Sequence, residues 1–203
     1  MDDVERAVAA LERGGVIVYP TETVYGLGVD AAAAAALARL GSLKGRDLGK
    51  PVSVLVASRA MLDEIVGAVT GVAERLIEKF WPGALTLAFA AKPHVSSALT
   101  GGGRTIAARI SSEPIARAIV ERLRRPLTAT SANPGGAPAA VDVAAARAYF
   151  GPRVDVYVDG GRALGGAGST VVDCSTDVPR LVREGVIPLA AIEAAAGMRL
   201  RRE

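Results

Sequence analysis

The sequence predicts a mixed α/β (α+β) domain, a twisted mixed sheet with flanking helices. Short β-branched runs alternate with amphipathic stretches of helical spacing along most of the 203 residues. The runs at 85–90 and 105–109 have no predicted helix between them, which departs from the strict alternation of a doubly wound parallel sheet. No internal repeat and no long linker divides the chain, so we expect one compact unit.

The first elements follow directly from these patterns. Residues 3–13 carry apolar side chains at helical spacing, and two glycines stop that helix. The run VIVY at 16–19 is β-branched and aromatic and ends at Pro20, which predicts a buried strand leading into a polar loop. An alanine-rich stretch then predicts a short helix that begins at an Asp30 N-cap and ends at Gly41.

The same reasoning continues to the end of the chain. Further helices are predicted at 59–66, 72–79, 114–123 and 142–150. Further strands are predicted at 52–56, 85–90, 105–109, 127–130, 154–158, 170–173 and 180–183. The segments between them include a basic loop at 44–50 and a glycine-rich loop at 160–168.

Composition excludes several classes of protein. Every apolar run is broken before the roughly 18 residues that a membrane helix needs, and the first residues are acidic where a signal peptide is basic, so we expect no membrane association and a cytoplasmic protein. The one cysteine, Cys174, lies in an apolar run and is expected to be a buried thiol. The one histidine, His94, is expected at the surface, because it has no partners for a zinc site or a catalytic triad.

Candidate anion-binding groups occur at loops and strand ends. The chain has neither a GxxxxGK[ST] phosphate loop nor a GxGxxG turn after a strand, so a nucleotide would be held in another way. The basic loop brings Lys44, Arg46 and Lys50 together beside a glycine and ahead of a strand. These cations suit a triphosphate, but on charge alone a solvated basic loop is the favoured interpretation, because basic loops before strands are common.

Arg109 stands out because it lies inside an otherwise apolar strand. Alternation along 105–109 puts Thr105, Ala107 and Arg109 on one face of that strand. A guanidinium there needs an anionic partner, which is either an internal carboxylate or a bound ligand. Downstream, the small-residue loop after the 127–130 strand carries Ser131 and Asn133, which could bind a ligand or cap the turn.

Two basic clusters raise the question of RNA. One comprises Arg122, Arg124 and Arg125, and the other lies in the tail at 199–202. Net charge is only +3 and aromatic residues make up 4% of the chain, whereas RNA readers pair basic patches with exposed aromatics. We therefore interpret both clusters first as a solvated helix face and a frayed end.

Taken in order, the motifs resemble one family. They read VIVYPTETVYGLGVDA, LKGRDLGKPVSVLVAS, FWPGALTL, TIAARI, PLTATSANPGG, GGAGSTVVD and LVREG. This series is similar to the YrdC-like threonylcarbamoyl-AMP synthases in their single-domain form, over roughly residues 5 to 190. The combination of PTETVYGLG, KGR and SAN carries the resemblance, since no single motif is specific enough.

The resemblance implies a fold and a reaction. The fold is a YrdC-like domain over residues 1–190, with a basic concave cavity, followed by a C-terminal helix and tail at 191–203 and no second domain. The reaction joins L-threonine, bicarbonate and ATP, with its Mg²⁺, into threonylcarbamoyl-AMP and pyrophosphate. A separate tRNA threonylcarbamoyl-transferase would then use the product to make threonylcarbamoyladenosine in tRNA. Neither a metal site on the protein nor a prosthetic group is implied, and direct RNA binding is not required.

The resemblance also implies roles for individual residues. The catalytic cations are Lys44, Arg46 and Lys50. The ATP-binding residues are Arg46, Lys50, Thr105, Ser131, Asn133, Ala139 and Arg183. The threonine-binding residues are Thr23, Leu55, Arg109, Ala129 and Ser169, with the Arg109 guanidinium pairing the amino-acid carboxylate.

Two departures from the family pattern affect these roles. Leu55 stands where many members carry a histidine, and Ala139 stands where many carry a serine. Ala139 would then contact the nucleotide through its backbone. Two alternatives remain open from the sequence: an RNA-binding module without chemistry, and a divergent paralogue that binds ATP but uses another acceptor. The presence of Thr23, Arg109 and Ser169 argues against the paralogue.

Overall fold

A computed structural model describes residues 2–45 and 49–202, and all structural statements concern those residues. The helices are α1 Asp3–Glu12, α2 Ala34–Lys44, α3 Arg59–Ile65, α4 Gly71–Phe80, α5 Ser97–Thr100, α6 Pro114–Leu123, α7 Val143–Phe150 and α8 Leu189–Ala196. The strands are β1 Ile17–Tyr19, β2 Gly26–Gly28, β3 Val54–Leu55, β4 Leu85–Ala90, β5 Thr105–Arg109, β6 Leu127–Thr128, β7 Thr130–Ser131, β8 Val156–Tyr157, β9 Thr170–Asp173 and β10 Arg180–Arg183. The predicted mixed α/β architecture with flanking helices is confirmed.

The strands form two mixed sheets. The four-stranded sheet has the order β7-β2-β1-β8, and the six-stranded sheet has the order β10-β9-β4-β5-β3-β6. Strand β1 pairs antiparallel with β2 and parallel with β8. In the larger sheet β4 pairs antiparallel with β5 and parallel with β9, so both sheets mix the two directions.

The mixed sheet is divided into two, and the predicted strand 127–130 is shared between them. The run 127–130 divides into β6, which pairs with β3 in the larger sheet, and β7, which pairs with β2 in the smaller one. The chain therefore passes from one sheet to the other within these residues. Strand β2 was missed, because its sequence Gly26-Leu27-Gly28 lacks the β-branched residues by which strands are recognised.

Helix α2 begins and ends later than predicted. Its N-cap is Ala33, and the Asp30 carboxylate instead accepts a hydrogen bond from the backbone of Ala32 and pairs with Arg125. Gly41 lies inside the helix, which continues to Lys44 and ends at Gly45 in the left-handed conformation. Lys44 is therefore the last residue of a helix rather than part of the basic loop.

The glycines of β2 make room for an aromatic ring that links the sheets. Tyr19 is fully buried, and its hydroxyl donates to the Thr128 carbonyl oxygen at 2.8 Å. A Cβ atom at Gly26 or Gly28 would lie 2.8 or 2.7 Å from this ring. Burial also raises the pKa of the Tyr19 hydroxyl well above its usual value, so it remains a hydrogen-bond donor.

The C-terminal segment is more ordered than the sequence indicated. Helix α8, which spans the predicted boundary at residue 190, packs on α4, and Arg75 donates to the Ala196 carbonyl oxygen at 2.6 Å. In the tail, the Leu181 amide donates to the Arg201 carbonyl oxygen, so the expectation of a frayed end was wrong up to Arg201. Backbone pairing with an edge strand supplies the order that side-chain patterns did not reveal.

Two smaller expectations were confirmed. Cys174 is buried, and burial raises the pKa of its thiol to about 12. His94 is exposed. None of the described helices combines the length and apolar character required to cross a membrane.

We expect Gly28→Ala to lower the free energy of unfolding by about 1–3 kcal/mol, because the Tyr19 ring is hydrogen-bonded and cannot move aside. Denaturant titration of the purified variant measures this change. Gly71→Ala, at the start of α4, is the matched control. The nearest atom to a Cβ added there is Arg75 Nη1, at 4.0 Å. Equal stability of the two variants would contradict the packing argument.

Candidate functional site

A pocket of about 740 Å³ lies between the two sheets. Gly26 and Ser131 of the smaller sheet line it, and so do Thr86, Arg109 and Val171 of the larger one. Its volume falls in the range typical of small-molecule sites. The pocket therefore depends on both sheets and on the segments that join them.

Most of the residues singled out in the sequence line this pocket. They are Thr23, Lys44, Lys50, Arg109, Ala129, Ser131, Asn133, Ala139, Ser169 and Arg183. Arg46 lies outside the described residues. Residues that are far apart in the sequence thus converge on one cavity, as the order of the motifs led us to expect.

Leu55 and Thr105 are not part of the pocket wall. Leu55 is 1% exposed and lies in the hydrophobic core, so a side-chain contact between Leu55 and a ligand in the pocket is contradicted. Thr105 lies at the start of β5, paired with Ala90. It shares a strand face with Arg109, but three residues lie between them, so their Cα atoms are about 13 Å apart. Alternation predicted the shared strand face correctly, but it could not show where along the strand the pocket ends.

Lys44 is a buried cation that fixes the loop after β7. Its Nζ donates to the carbonyl oxygens of Ser131 and Asn133, each at 2.7 Å, and to the Asn133 side-chain oxygen at 3.2 Å. The Lys44 carbonyl oxygen also accepts from the Gly135 amide at 3.0 Å. Because Lys44 is 4% exposed and its ammonium is bound to these oxygens, its main contact is with the protein itself.

Ser131 and Asn133 are part of the same network. The Ser131 hydroxyl donates to the Asn133 side-chain oxygen at 2.5 Å, and the Asn133 side-chain nitrogen donates to the Ala137 carbonyl oxygen. The interpretation of these residues as turn caps is therefore correct. They also line the pocket, so capping and ligand contact are compatible here.

Arg109 forms an ion pair with an internal carboxylate. The side chains of Arg109 and Glu22 are 6% and 16% exposed, and their charged groups form an ion pair between Arg109 Nη1 and Glu22 Oε1. The Gly83 carbonyl oxygen lies 3.4 Å from the same nitrogen. Arg109 nevertheless lines the pocket, and a guanidinium has five N–H donors, enough for an internal partner and a ligand.

The electrostatics of Arg109 reflect its burial. Desolvation is the main cause that lowers the pKa of Arg109 to about 10, and the positive charge of Arg183 lowers it further. At neutral pH the guanidinium remains charged. Arg183 thus places a second guanidinium near Arg109, and such a group suits an anionic ligand.

Ser169 lies between two other pocket residues. The Thr86 hydroxyl donates to Ser169 Oγ at 3.0 Å, and Arg183 Nη2 donates to the same atom at 3.3 Å. Arg183 is held further by a 2.8 Å hydrogen bond to the Ser169 carbonyl oxygen. Since Ser169 Oγ accepts both bonds, its own hydrogen is available to a ligand.

Several hydroxyl-bearing residues of the pocket were missed in the sequence, among them two threonines and a serine. Thr21, Ser53 and Thr86 all line it. Two patterns in the sequence could have indicated the threonines. Thr21 is two residues from Thr23, as expected for side chains on one face of an extended segment, and Thr86 is a polar residue in an apolar strand. The Ser53 carbonyl oxygen accepts a hydrogen bond from the Ala129 amide at 2.7 Å, and the Ser53 hydroxyl donates to the Ala129 carbonyl oxygen at 2.9 Å. The Ala129 N–H is therefore already used by the protein.

The basic cluster near α6 is largely neutralised. Arg122 pairs with Asp2 at 3.4 Å, and Arg125 pairs with Asp30 at 3.1 Å. Arg124 ends the helix in the left-handed conformation. These contacts favour the interpretation as a solvated helix face over an RNA-binding patch.

Comparison with known proteins places the chain in a family. A family model described as "Telomere recombination", for Sua5, YciO and YrdC proteins, matches residues 9–185. A putative threonylcarbamoyl-AMP synthase of Mycobacterium leprae is 40% identical, over 96% of this chain and 88% of that protein. The threonylcarbamoyl-AMP synthase of Bacillus subtilis is 36% identical, over 96% of this chain and 56% of that protein.

Solved structures agree with this placement. The crystal structure of Pyrococcus abyssi Sua5 complexed with L-threonine matches with a TM-score of 0.93 and 34% identity, over 98% of this chain. Our chain spans 58% of the length of that protein. Escherichia coli YciO matches with a TM-score of 0.84 and 30% identity, over 93% of this chain and 92% of that one.

The two lysines of the pocket should respond differently to substitution. We expect Lys44→Met to lower the free energy of unfolding by about 2–3 kcal/mol, because it leaves buried oxygens without their charged donor. Lys50→Met should leave stability unchanged, since Lys50 is exposed. Thermal melts combined with ATP titration distinguish the two, and weaker ATP binding is expected in both. A stable Lys44→Met protein would show that the lysine does not hold the loop.

Proposed function

Because the chain belongs to the Sua5/YciO/YrdC family, we propose that it is an L-threonylcarbamoyladenylate synthase. It converts L-threonine, bicarbonate and ATP into threonylcarbamoyl-AMP and pyrophosphate. The observation that carries this proposal is one pocket that contains both a buried guanidinium among hydroxyls and a separate set of cations and small-residue loops. The first set suits an amino acid, and the second suits a nucleotide.

The amino-acid end is built around Arg109. Its guanidinium binds the threonine carboxylate, and the hydroxyls of Thr23 and Ser169 orient the rest of the substrate. Thr23 is 3% exposed, and its hydroxyl lies 3.2 Å from that of Thr21. These hydroxyls are held by the protein before a substrate arrives, which reduces the entropy lost on binding. Leu55 lies in the core and has no part in this recognition.

The nucleotide end is formed by Lys50, Ser131, Asn133, Ala139 and Arg183. The exposed Lys50 contacts the phosphates together with Arg46, and Arg183 and Ser131 contact the nucleotide from two sides of the pocket. Ala139 has no hydroxyl, so its contribution comes from its backbone. Thr105 is retained here as a more distant nucleotide contact at the far end of β5.

Magnesium enters as part of the substrate. The described residues contain no group of three or more His, Cys, Asp or Glu side chains that could hold a metal ion. The ion would therefore be coordinated mainly by phosphate oxygens and water, as Mg²⁺ commonly is with nucleotides. It supplies charge neutralisation for the departing pyrophosphate.

The chemistry requires positioning more than a protein nucleophile. The threonine amine attacks the carbon of bicarbonate, water leaves, and a carbamate forms. A carbamate oxygen then attacks the α-phosphorus of ATP, and the bond to the β-phosphate oxygen breaks to release pyrophosphate. Holding the reactants together and neutralising their charge accounts for catalysis of this type. Lys50 and Arg46 are the cations we assign to that task, with Lys44 holding the loop beside them.

The product is a reactive mixed anhydride with a downstream use. We propose that a separate tRNA threonylcarbamoyl-transferase accepts it in the cytoplasm and transfers the threonylcarbamoyl group to tRNA adenosine. This protein needs no direct contact with tRNA for that role. The ion pairs of Arg122 and Arg125 with acidic residues support such a division of tasks.

We expect the purified protein to release pyrophosphate and form threonylcarbamoyl-AMP only when L-threonine, bicarbonate and MgATP are all present. Mass spectrometry with ¹³C-bicarbonate identifies the product, because the label appears in the carbamoyl group. Arg109→Lys should reduce kcat/KM for threonine by about 30-fold or more, since a lysine cannot reproduce the planar fork. Arg6→Ala, a surface arginine on α1, is the control and should remain fully active. ATP binding without product from threonine would overturn the proposal.

A further inference from the structure

Glu22 lies behind the pocket wall rather than in it. Its neighbours Thr21 and Thr23 both line the cavity, whereas Glu22 turns to the ion pair with Arg109. The contact involves Arg109 Nη1, the nitrogen that is also near the Gly83 carbonyl oxygen. The ion-pair contact is at one nitrogen of the guanidinium, and Arg109 is among the residues that line the pocket.

A chain of hydrogen bonds holds the Glu22 carboxylate in place. The Glu113 amide donates to Ser111 Oγ at 3.2 Å, and the Ser111 hydroxyl donates to Glu22 Oε2. Because Ser111 Oγ accepts the bond from the backbone, its own hydrogen is directed to the carboxylate. Ser111 is 2% exposed and the Glu22 side chain 16% exposed, so the hydrogen bond between them is largely shielded from water. The chain of hydrogen bonds runs from the start of α6 to the guanidinium.

Two opposite roles are compatible with a carboxylate next to a substrate-binding arginine. As a competitor, it would occupy the guanidinium and weaken binding of another carboxylate. As a support, it would keep the guanidinium charged and in one orientation while other nitrogens receive the ligand. The fixed position of Glu22, outside the pocket and held by Ser111, favours the support. A competitor would need to leave when the ligand binds, and its hydrogen bond to Ser111 opposes that.

We propose that Glu22 is a positioning residue for amino-acid binding, which acts through Arg109 and is itself oriented by Ser111. This inference rests on the proposed function, in which Arg109 binds the threonine carboxylate. Without the Glu22 charge, a buried guanidinium loses the partner that compensates its desolvation and fixes its rotamer. The loss should appear in threonine binding and leave nucleotide binding unchanged.

The test uses isothermal titration of the full protein with L-threonine and with ATP. Glu22→Gln keeps the shape of the side chain and removes its charge, and Ser111→Ala removes only the hydroxyl that orients it. Glu121→Gln is the matched control, because Glu121 forms an exposed pair with Arg117 on α6. L-threonine amide, which lacks the carboxylate, is titrated as a competitor of threonine. Product formation by the wild-type protein is measured in parallel.

We expect Glu22→Gln to raise the Kd for threonine at least tenfold, with the Kd values for ATP and for the amide changed less than twofold. Ser111→Ala should shift threonine binding in the same direction by about threefold, and it decides the question if Glu22→Gln does not fold. Unchanged or tighter threonine binding in a folded variant would overturn the inference, as would equal weakening of threonine and its amide. A wild-type protein that makes no product would instead contradict the proposed function.

Discussion

The passage of one short segment between two sheets is the constraint on which this structure depends. Strand β6 belongs to the larger sheet and β7 to the smaller one, and both lie within five residues. Tyr19 fixes this crossing through its hydrogen bond to the Thr128 carbonyl oxygen, and the glycines of β2 make space for its ring. The pocket lies where the two sheets separate, so residues from both reach it.

Buried charge within the pocket is compensated by the protein before any ligand is present. Lys44 donates to three oxygens of the 131–133 segment, and Arg109 pairs with Glu22. Both cations are almost completely buried, where an uncompensated charge would be costly. Lys50 and Arg183 are exposed instead, so water can solvate their charges until an anion binds. The result is a preformed site with defined hydrogen-bond donors.

Local patterns predicted most elements, and long-range contacts account for what was missed. The β4 and β5 strands and helix α6 have their predicted bounds, because alternation and helical spacing are properties of neighbouring residues. Strand β2 consists mainly of glycines, and its pairing follows from the shape of Tyr19 across the sheet. Ten of the residues assigned to the site from the sequence line one pocket, as the family resemblance implied, whereas Leu55 lies in the core. The choice of Glu22 as the Arg109 partner could not be read from sequence, because it depends on how the sheets face each other.

A crystal structure with L-threonine and a non-hydrolysable ATP analogue tests the central claim, that one pocket holds both substrates around preorganised cations. We expect the threonine carboxylate on the Arg109 guanidinium, with the Glu22 and Ser111 contacts retained, and the phosphates against Lys50 and Ser131. Threonine bound away from Arg109, or a guanidinium that leaves Glu22 to reach its ligand, would contradict it.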